Sequence, residues 1–392
     1  MMFVYLIPII ADIWLWYALV KDLRQRSLVL KVIVVTVMTA LTLMLLFLVL
    51  RISTYGGDFA APANAYRYIV LALTGMLLVT AGLIYLFIRF FSRVAGKVLH
   101  RNMNRAGLFN IIIFLLLVIL IADGHFRQRF DVRMVRQDIA VRGLDPALSG
   151  MKIVFISDLH LSSYYGNYDH LEDIVTLINR EEPDLLINTG DFVSYGWQEF
   201  GGCDTILGKA HARYGAFAVV GNHDDGTYYP DYDKHYGDEC TEMIAGSIAR
   251  SGYLLLSDTS VTVTRDGARV AIAGIVTHGH HLDMSYGDFR GTLGQIPDSL
   301  FTILLLHDPA GWDQALACVR QPDLTLAGHT HGMQMGLPGG HISPTVWIHK
   351  RWKGLYRHDN KYLYVTSGLG TMGMAVRIFM PPEIVVITLT RD

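Results

Sequence analysis

The sequence predicts an α/β domain preceded by an all-α bundle of about four membrane-spanning helices. Long apolar stretches are confined to the first third of the chain, whereas short apolar runs rich in β-branched residues recur in the rest. With 392 residues, 52% of them hydrophobic and only 17% charged, the chain is too apolar for a single soluble domain. We therefore expect a transmembrane bundle over residues 1–125, a connector and first strand over 126–150, and an α/β domain over 151–392.

Four segments of the predicted bundle are candidates to cross a bilayer, which takes about 20 predominantly apolar residues. They are residues 2–20, 28–50, 68–88 and 107–122, and the last of them is short. The first segment lacks the basic start of a cleavable signal peptide, and three more candidates follow it. We therefore expect a multi-pass integral membrane protein.

Basic residues in the connecting loops predict the side of the membrane on which the α/β domain lies. The loops after the first and third spans carry Lys21, Arg24, Arg26, Arg93, Lys97, Arg101 and Arg105. Because cytoplasmic loops are enriched in Lys and Arg, these two loops are expected to face the cytoplasm and the α/β domain the opposite side. Four arginines within residues 127–136 crowd the exit of the last span, so a cytoplasmic domain is the alternative if that span does not cross.

Five polar blocks follow apolar runs in the second half of the chain. They are DLH (Asp158 to His160), GD (Gly190 and Asp191), GNHD (from Gly221), HD (from His307) and GHTHG (from Gly328). Each apolar run is typical of a buried strand, so each block would lie just past a strand's carboxyl end. Loops at this edge of an open α/β sheet converge, and the sequence therefore predicts one site built from all five blocks.

The residue types in these blocks suit a pair of divalent metal ions. Two metals about 3.5–4 Å apart can clamp the attacking and leaving oxygens of a phosphoryl displacement and generate hydroxide near neutral pH. We assign Asp158, His160 and His331 to one metal, Asn222, His307 and His329 to the other, and Asp191 to a bridging position. Ligand sets rich in imidazole favour Mn, Fe or Zn over Ca or Mg, and we expect Mn.

Two further residues of GNHD are candidates for catalysis. His223 lies beside the predicted metal ligands and would donate a proton to the developing charge or to the leaving oxygen. Asp224 would orient its ring. DLH or GD alone is common in ordinary loops, whereas GNHD and GHTHG are stronger signals, and all five in this order make a purely structural role improbable.

The ordered blocks resemble the calcineurin-like metallophosphoesterase superfamily from about residue 135 to the end. The segments GMQMGLPGG, GLYR, LYVTSGLGT and PPEIVVITL also resemble the branch that carries amino-terminal membrane segments. The resemblance implies a four-layer α/β/β/α sandwich with a dinuclear site at one edge, and its ligands fall on the positions assigned above. GNHD stands where serine/threonine protein phosphatases have GNHE, which argues against a protein phosphatase.

Substrate contacts are predicted from two segments near the carboxyl end. Arg351 and Arg357 lie in HISPTVWIHKRWKGLYRHDNK, whose basic and aromatic residues suit anionic head groups or a diphosphate. A solvated basic turn is the alternative reading. The resemblance further implies that Arg377 helps to close the cleft.

These observations together predict a membrane-anchored metal-dependent phosphoesterase. An enzyme tethered in a bilayer meets lipid-linked substrates at high effective concentration, so a phosphodiester, phosphomonoester or pyrophosphate of such a substrate is expected. The net charge of −2 and the lack of a basic stripe argue against a nucleic-acid partner. A metal-binding membrane sensor or scaffold without turnover is the alternative. The oligomeric state is not predicted.

Overall fold

A computed structural model describes residues 2–24, 26–54, 58–98, 106–280 and 283–392. The chain divides into two compact units. The first comprises residues 1–57, 66–127 and 373–376, and the second comprises residues 58–65, 128–372 and 377–392. Arg101 and Arg105, which contribute to the predicted topology, lie outside the described residues.

The first unit is built from four helices. They are α1 (Met2–Leu23), α2 (Leu28–Thr54), α3 (Pro62–Val98) and α4 (Ala106–Phe126). Three stretches of the described chain are long and apolar enough to cross a bilayer: Leu28–Arg51, Pro62–Val94 and Gly107–Phe130. The segment predicted to be a short fourth span thus belongs to a helix of 21 residues. Helix α1 has 22 residues but is not among the three, and it carries Asp12, Lys21 and Asp22.

A polar contact inside the first unit accommodates the carboxylate of α1. Asp12 is buried, and the Thr42 hydroxyl of α2 lies 3.0 Å and 2.9 Å from its two carboxylate oxygens. The Trp16 indole donates to the same Thr42 oxygen at 2.8 Å. Because a buried carboxylate is costly without hydrogen-bond partners, this contact gives Asp12 a role in helix packing.

The second unit contains fourteen described strands and five described α-helices. The strands are β1 (Arg133–Val141), β2 (Lys152–Ile156), β3 (Leu185–Asn188), β4 (Ala216–Ala218), β5 (Tyr253–Leu255), β6 (Thr259–Arg265), β7 (Ala268–Ile275), β8 (Thr277–His280), β9 (Asp283–Tyr286), β10 (Phe301–Leu306), β11 (Leu324–Ala327), β12 (Gly354–His358), β13 (Lys361–Val365) and β14 (Glu383–Arg391). The helices are α5 (Tyr168–Arg180), α6 (Cys203–Leu207), α7 (Lys234–Arg250), α8 (Phe289–Gly294) and α9 (Trp312–Leu316).

Twelve of the strands form two six-stranded sheets. The first sheet has the order β1-β14-β2-β3-β4-β5, and the second has the order β12-β13-β11-β10-β7-β6. Strands β2 to β5 run parallel, as do β7, β10, β11 and β13, whereas β14 pairs antiparallel with β2. Strands β8 and β9 form a separate hairpin.

Side-chain alternation along the central strands creates four layers. On β2, Ile153 and Phe155 enter a core shared by the two sheets, whereas Val154 and Ile156 face the other way. Helices α5, α6 and α7 cover that outer face, and α8 and α9 cover the outer face of the second sheet. Strands buried on both faces need continuous apolar sequences, which these runs supply. The predicted α/β/β/α sandwich preceded by apolar helices is confirmed.

The five polar blocks lie where the strands end. The DLH block follows β2, GD follows β3, GNHD follows β4, HD follows β10 and GHTHG follows β11. Because three of these strands belong to one sheet and two to the other, the site draws on both halves of the sandwich.

Candidate metal centre

Two triads of predicted ligands come together at this edge of the sandwich. Within each triad the potential ligand atoms all lie within 4.8 Å of one another. The first triad is Asp158, His160 and His331, and the second is Asp191, His307 and His329.

Asp191 lies between the triads. Its Oδ2 is 3.6 Å from Nε2 of His160, in the first triad, and 3.2 Å from Nε2 of His307, in the second. One carboxylate oxygen therefore faces ligands of both triads, which is the placement that a bridging ligand requires. The imidazole nitrogens are close as well, with His160 Nε2 and His331 Nε2 only 3.0 Å apart.

Several buried ligand atoms have no hydrogen-bond partner. Asp158 Oδ2, Asn222 Oδ1 and His331 Nδ1 are all in this state. The Asn222 side chain donates from Nδ2 to the Tyr228 hydroxyl at 3.0 Å. This contact fixes the orientation of the amide and leaves Oδ1 as its polar atom without a partner. Buried oxygens without donors are costly unless a cation or a water satisfies them. The donor set of carboxylate, amide oxygen and imidazole therefore fits divalent transition metals.

Contacts to Nδ1 fix the orientation of two of the imidazoles. His307 Nδ1 lies 2.8 Å from the Thr189 carbonyl oxygen, and His160 Nδ1 lies 3.0 Å from the Ser194 hydroxyl. A nitrogen facing a carbonyl must carry a proton, so Nε2 is the His307 nitrogen that can present a lone pair to a metal once its own proton is released. These contacts orient the rings before any cation binds.

The ligand loops have an unusual backbone conformation. Positive φ angles occur at Asp158 (56°), His160 (41°), Asp191 (54°), His329 (70°) and His331 (50°). Such angles cost of order 1–3 kcal/mol at residues other than glycine and persist only where the surroundings enforce them. Glycine is needed beside them, because a Cβ at Gly221 would overlap Asp191 and His307.

Burial and mutual charge perturb the acids and bases of the centre. Burial raises the pKa of Asp158 to about 6. Burial would also raise the pKa of Asp191, but the neighbouring His307 and His223 hold it well below its usual range. Burial alone would lower the pKa of His307, yet the Asp191 charge raises it to about 10. A proton shared by this pair would be released when a metal binds, because a ligating imidazole is neutral.

His223 is held beside the two triads. Its ring lies 5.1 Å from the His160 ring and stacks on Tyr228 at 3.8 Å. Its Nδ1 lies 2.7 Å from the Ser194 carbonyl oxygen, so Nδ1 carries a proton and Nε2 is the atom that can exchange one. The backbone N–H of His223 donates to Asp191 Oδ1 at 3.0 Å, which couples the ring's position to the candidate bridging residue.

Asp224 does not orient the His223 ring, and that part of the prediction is wrong. The Ser194 carbonyl takes that position. Both carboxylate oxygens of Asp224 instead accept backbone N–H groups: Oδ1 from Phe192 and Val193, and Oδ2 from Asp191 and Gly221. Asp224 thus joins the GD block to the GNHD block and acts as a positioning residue.

Glu199 has a comparable role that the sequence analysis missed. It is buried, and its carboxylate accepts N–H groups from Ser194, Tyr195 and Ser162, which lie in the segments after GD and after DLH. Burial raises the pKa of Glu199 to about 7, against these donors. Its carboxylate also accepts the Gly196 N–H at 3.4 Å, at the start of the Trp197–Phe200 turn. Because glycine has no side chain to complete a capping box, the sequence carries no clear signal for this role.

The three predicted substrate arginines have other partners. Arg377 is fully buried and donates to the carbonyl oxygens of Gly370, Ser367 and Met380. It is therefore a structural residue, and the prediction that it closes the cleft against substrate is wrong. Arg351 pairs with Asp313 at 2.6 Å, and Arg357 donates to the Asp359 carbonyl oxygen. Substrate binding by Arg351 and Arg357 stays a prediction. Each arginine would have to give up its present contact in order to bind a phosphate.

Comparison with known proteins identifies the family. The model of the calcineurin-like phosphoesterase family matches residues 151–333. The metallophosphoesterase YkuE of Bacillus subtilis is 34% identical over 261 residues, which are 65% of this chain and 83% of that protein. The chain belongs to the calcineurin-like phosphoesterase family. It is a metal-dependent phosphoesterase.

Other relatives of this phosphoesterase differ in how much of the chain they match. A metallophosphoesterase of Aquifex aeolicus is 28% identical over 69% of this chain and 97% of its own length. The zebrafish (Danio rerio) transmembrane protein with metallophosphoesterase domain is 27% identical over 75% of this chain and 67% of its own. The solved phosphopantetheinyl hydrolase of Mycobacterium tuberculosis covers 56% of this chain and 91% of its own, with 15% identity and a TM-score of 0.36.

Proposed function

We propose that this phosphoesterase is anchored in a membrane and hydrolyses a phosphodiester, phosphomonoester or pyrophosphate bond of a lipid-linked substrate. The observation that carries the proposal is the pair of triads on either side of Asp191, with buried oxygens of Asp158 and Asn222 that have no hydrogen-bond partner. Two divalent ions at these positions would polarise the phosphoryl oxygens and supply a nucleophile near neutral pH. Mn is our first choice, with Fe and Zn as alternatives.

The protein's own residues would provide positioning and a proton. Asp191 would hold both ions, Asp158, His160 and His331 would complete one side, and Asn222, His307 and His329 would complete the other. His223, with its Nδ1 fixed by the Ser194 carbonyl, would donate from Nε2 to the leaving oxygen. Burial lowers the pKa of the free His223 imidazole, so the negative charge of a bound phosphate would be needed to keep it protonated.

The apolar helices support the substrate class. Three of them are long enough to cross a bilayer, so the enzyme and a lipid-linked phosphate would share one surface. The net charge of −2 offers no general attraction for nucleic acid, and we propose no nucleic-acid partner.

The fold also supports an extracytoplasmic catalytic domain. Residues 58–65, which comprise the end of the connection from α2 and the first turn of α3, belong to the same compact unit as the two sheets. Within that unit the Phe59 ring packs 5.0 Å from Tyr195 and 6.2 Å from Tyr229. This connection and the catalytic domain would thus share a side of the membrane, which requires both α3 and α4 to cross. The basic loops after α1 and α3 would then face the cytoplasm.

A hydrolysis assay with the full chain in detergent tests the proposal. The substrates are bis(p-nitrophenyl) phosphate and a panel of lipid and nucleotide pyrophosphates, with and without added Mn. We expect Mn-stimulated turnover that is lost in Asp191→Asn and retained in Asp238→Asn, which changes an exposed acid on α7. Equal turnover in wild type and Asp191→Asn would refute the assigned site.

The alternative function is a metal-binding sensor or scaffold without turnover. The ordered His223 ring favours an enzyme, because a site that only binds metal has no need of a positioned proton donor. Two bound metals with no turnover of any substrate in the panel would instead support the sensor.

A further inference from the structure

One loop of the catalytic unit exposes an unusual density of apolar side chains. In residues 337–348, here called the 337–348 loop, Trp347 is 84% exposed and Ile348 is 57% exposed. Leu337, Ile342 and Val346 are exposed as well. Single exposed apolar residues are ordinary on a protein surface, but several in one short segment mark a site of contact with another apolar phase.

The exposure does not come from a poorly held segment. The buried Ser343 hydroxyl donates to the Gly332 carbonyl oxygen at 2.7 Å, and Pro344 begins a short 310 turn that ends at Trp347. The backbone N–H of His349 returns to the Thr345 carbonyl oxygen at 2.8 Å. Polar contacts thus bind the base of the loop while its apolar side chains point into solvent.

The loop lies next to the candidate metal centre. The base of the loop is attached to Gly332, the residue after the predicted ligand His331. On its other side the His349 ring is 5.9 Å from the ring of the predicted ligand His329. The Thr330 hydroxyl, between these two ligands, donates to the Trp352 carbonyl oxygen at 2.6 Å. Whatever covers the loop therefore lies at the edge of the site.

The charge around the loop indicates what covers it. Residues 333–358 contain four Lys or Arg residues and no Asp or Glu. Arg351 and Lys353 are paired with Asp313 and Glu383, whereas Lys350, directly after the loop, is exposed. A Trp and aliphatic residues flanked by cations are the combination that suits the interface of an anionic bilayer.

We propose that the 337–348 loop inserts its apolar side chains into the interfacial layer of an anionic membrane. The loop is thereby a lipid-contacting surface beside the metal centre, and lipid-linked phosphates reach the ligands along it without leaving the bilayer. The contact itself does not depend on turnover, whereas its use for substrate rests on the proposed function.

Fluorescence of the full chain in nanodiscs tests the contact. The described cysteines Cys203, Cys240 and Cys318 are buried, so Trp347→Cys can be labelled selectively with an environment-sensitive dye. Val319→Cys, at a fully exposed apolar residue outside the 337–348 loop, is the matched control. We expect a blue-shifted emission that nitroxide-labelled lipids quench for Trp347→Cys, more strongly when phosphatidylglycerol is present. We expect neither effect for Val319→Cys.

Two outcomes would overturn the inference. Emission from Trp347→Cys that matches the Val319→Cys control, unquenched by nitroxide lipids, would show that the loop is solvated. A blue shift without lipid quenching, present only in discs that hold two copies, would show a contact between copies.

A kinetic comparison tests the use of the loop. The double variant Trp347→Ser with Ile348→Ser should keep its kcat/KM on soluble bis(p-nitrophenyl) phosphate. On a phosphodiester lipid in the same nanodiscs it should lose at least about tenfold, because that is the effect of removing one large apolar side chain from an apolar phase and the variant removes two. Equal losses on both substrates would contradict the proposed role. Absence of all hydrolysis in wild type would refute the proposed function but leave the fluorescence result valid.

Discussion

Replacing Asp224 with Asn tests the claim that one carboxylate organises the metal centre. Each of its oxygens accepts two backbone N–H groups, at distances of 2.8–3.2 Å. An Asn side chain keeps one oxygen and turns the other acceptor into an NH2 donor, so two buried N–H groups lose their partner whichever way the amide is oriented. At about 1–3 kcal/mol for each unsatisfied buried donor, the expected destabilisation is about 2–6 kcal/mol.

The loss should appear in both stability and metal binding. The midpoint of thermal unfolding in detergent, measured by intrinsic fluorescence, should be at least about 4 °C lower for Asp224→Asn than for wild type. This value takes about 2 °C per kcal/mol of destabilisation for a unit of this size. Because the same N–H groups position Asp191, metal affinity should fall about 10–100-fold, as for other residues that orient ligands. Asp238→Asn is the control. If Asp224→Asn unfolds and binds Mn as wild type does, the carboxylate is protonated in the native chain and the positioning role is refuted.

Three further predictions concern residues around the centre. His223→Ala should lower kcat about 10²–10⁴-fold while metal content, measured by mass spectrometry, stays at the wild-type level; loss of metal instead would make His223 a ligand. Tyr228→Phe removes the acceptor of the Asn222 amide but keeps the aromatic ring, so Mn titration should show an affinity about tenfold weaker with little change in unfolding. The contact of His278 Nδ1 with the Asp225 carboxylate, 3.7 Å away, raises the pKa of His278 in the folded state, so this contact stabilises the fold below the ordinary His pKa and its contribution is lost as pH rises through the raised value. An NMR titration should show the His278 pKa falling in Asp225→Asn, and an unchanged value would refute the pairing.

The parts of the fold that follow from periodicity could be predicted from the sequence. Strands buried on both faces need continuous apolar runs, and β2, β3 and β10 have them. Helices long enough to span a membrane need long apolar stretches, so the helices in the first third of the chain could be predicted. The ligand blocks were placed correctly after strands for the same reason, since polar residues directly after a buried run have to lie at its end.

What the sequence could not show depends on contacts between distant loops. Asp224 follows His223 directly, which suggested an interaction with its ring, yet the carboxylate turns toward Phe192 and Gly221. Arg377 was expected at the cleft from the family resemblance, whereas full burial gives it three carbonyl partners. In both cases the side chain forms hydrogen bonds with backbone groups of a loop that have no partner within a helix or sheet. The sequence does not show which backbone groups these are.

Asp224 and Glu199 together explain how the ligand loops keep a costly conformation. Positive φ angles at Asp158, Asp191 and the histidines beside them would relax if the loops were free. Between them the two carboxylates receive N–H groups from the segments after β2, β3 and β4, and so fix three loops of the first sheet against one another. Buried carboxyl groups are used here to satisfy buried backbone N–H groups rather than to react. The centre is therefore shaped before metal binds, and its sensitivity to mutation should extend to residues that never touch a ligand atom.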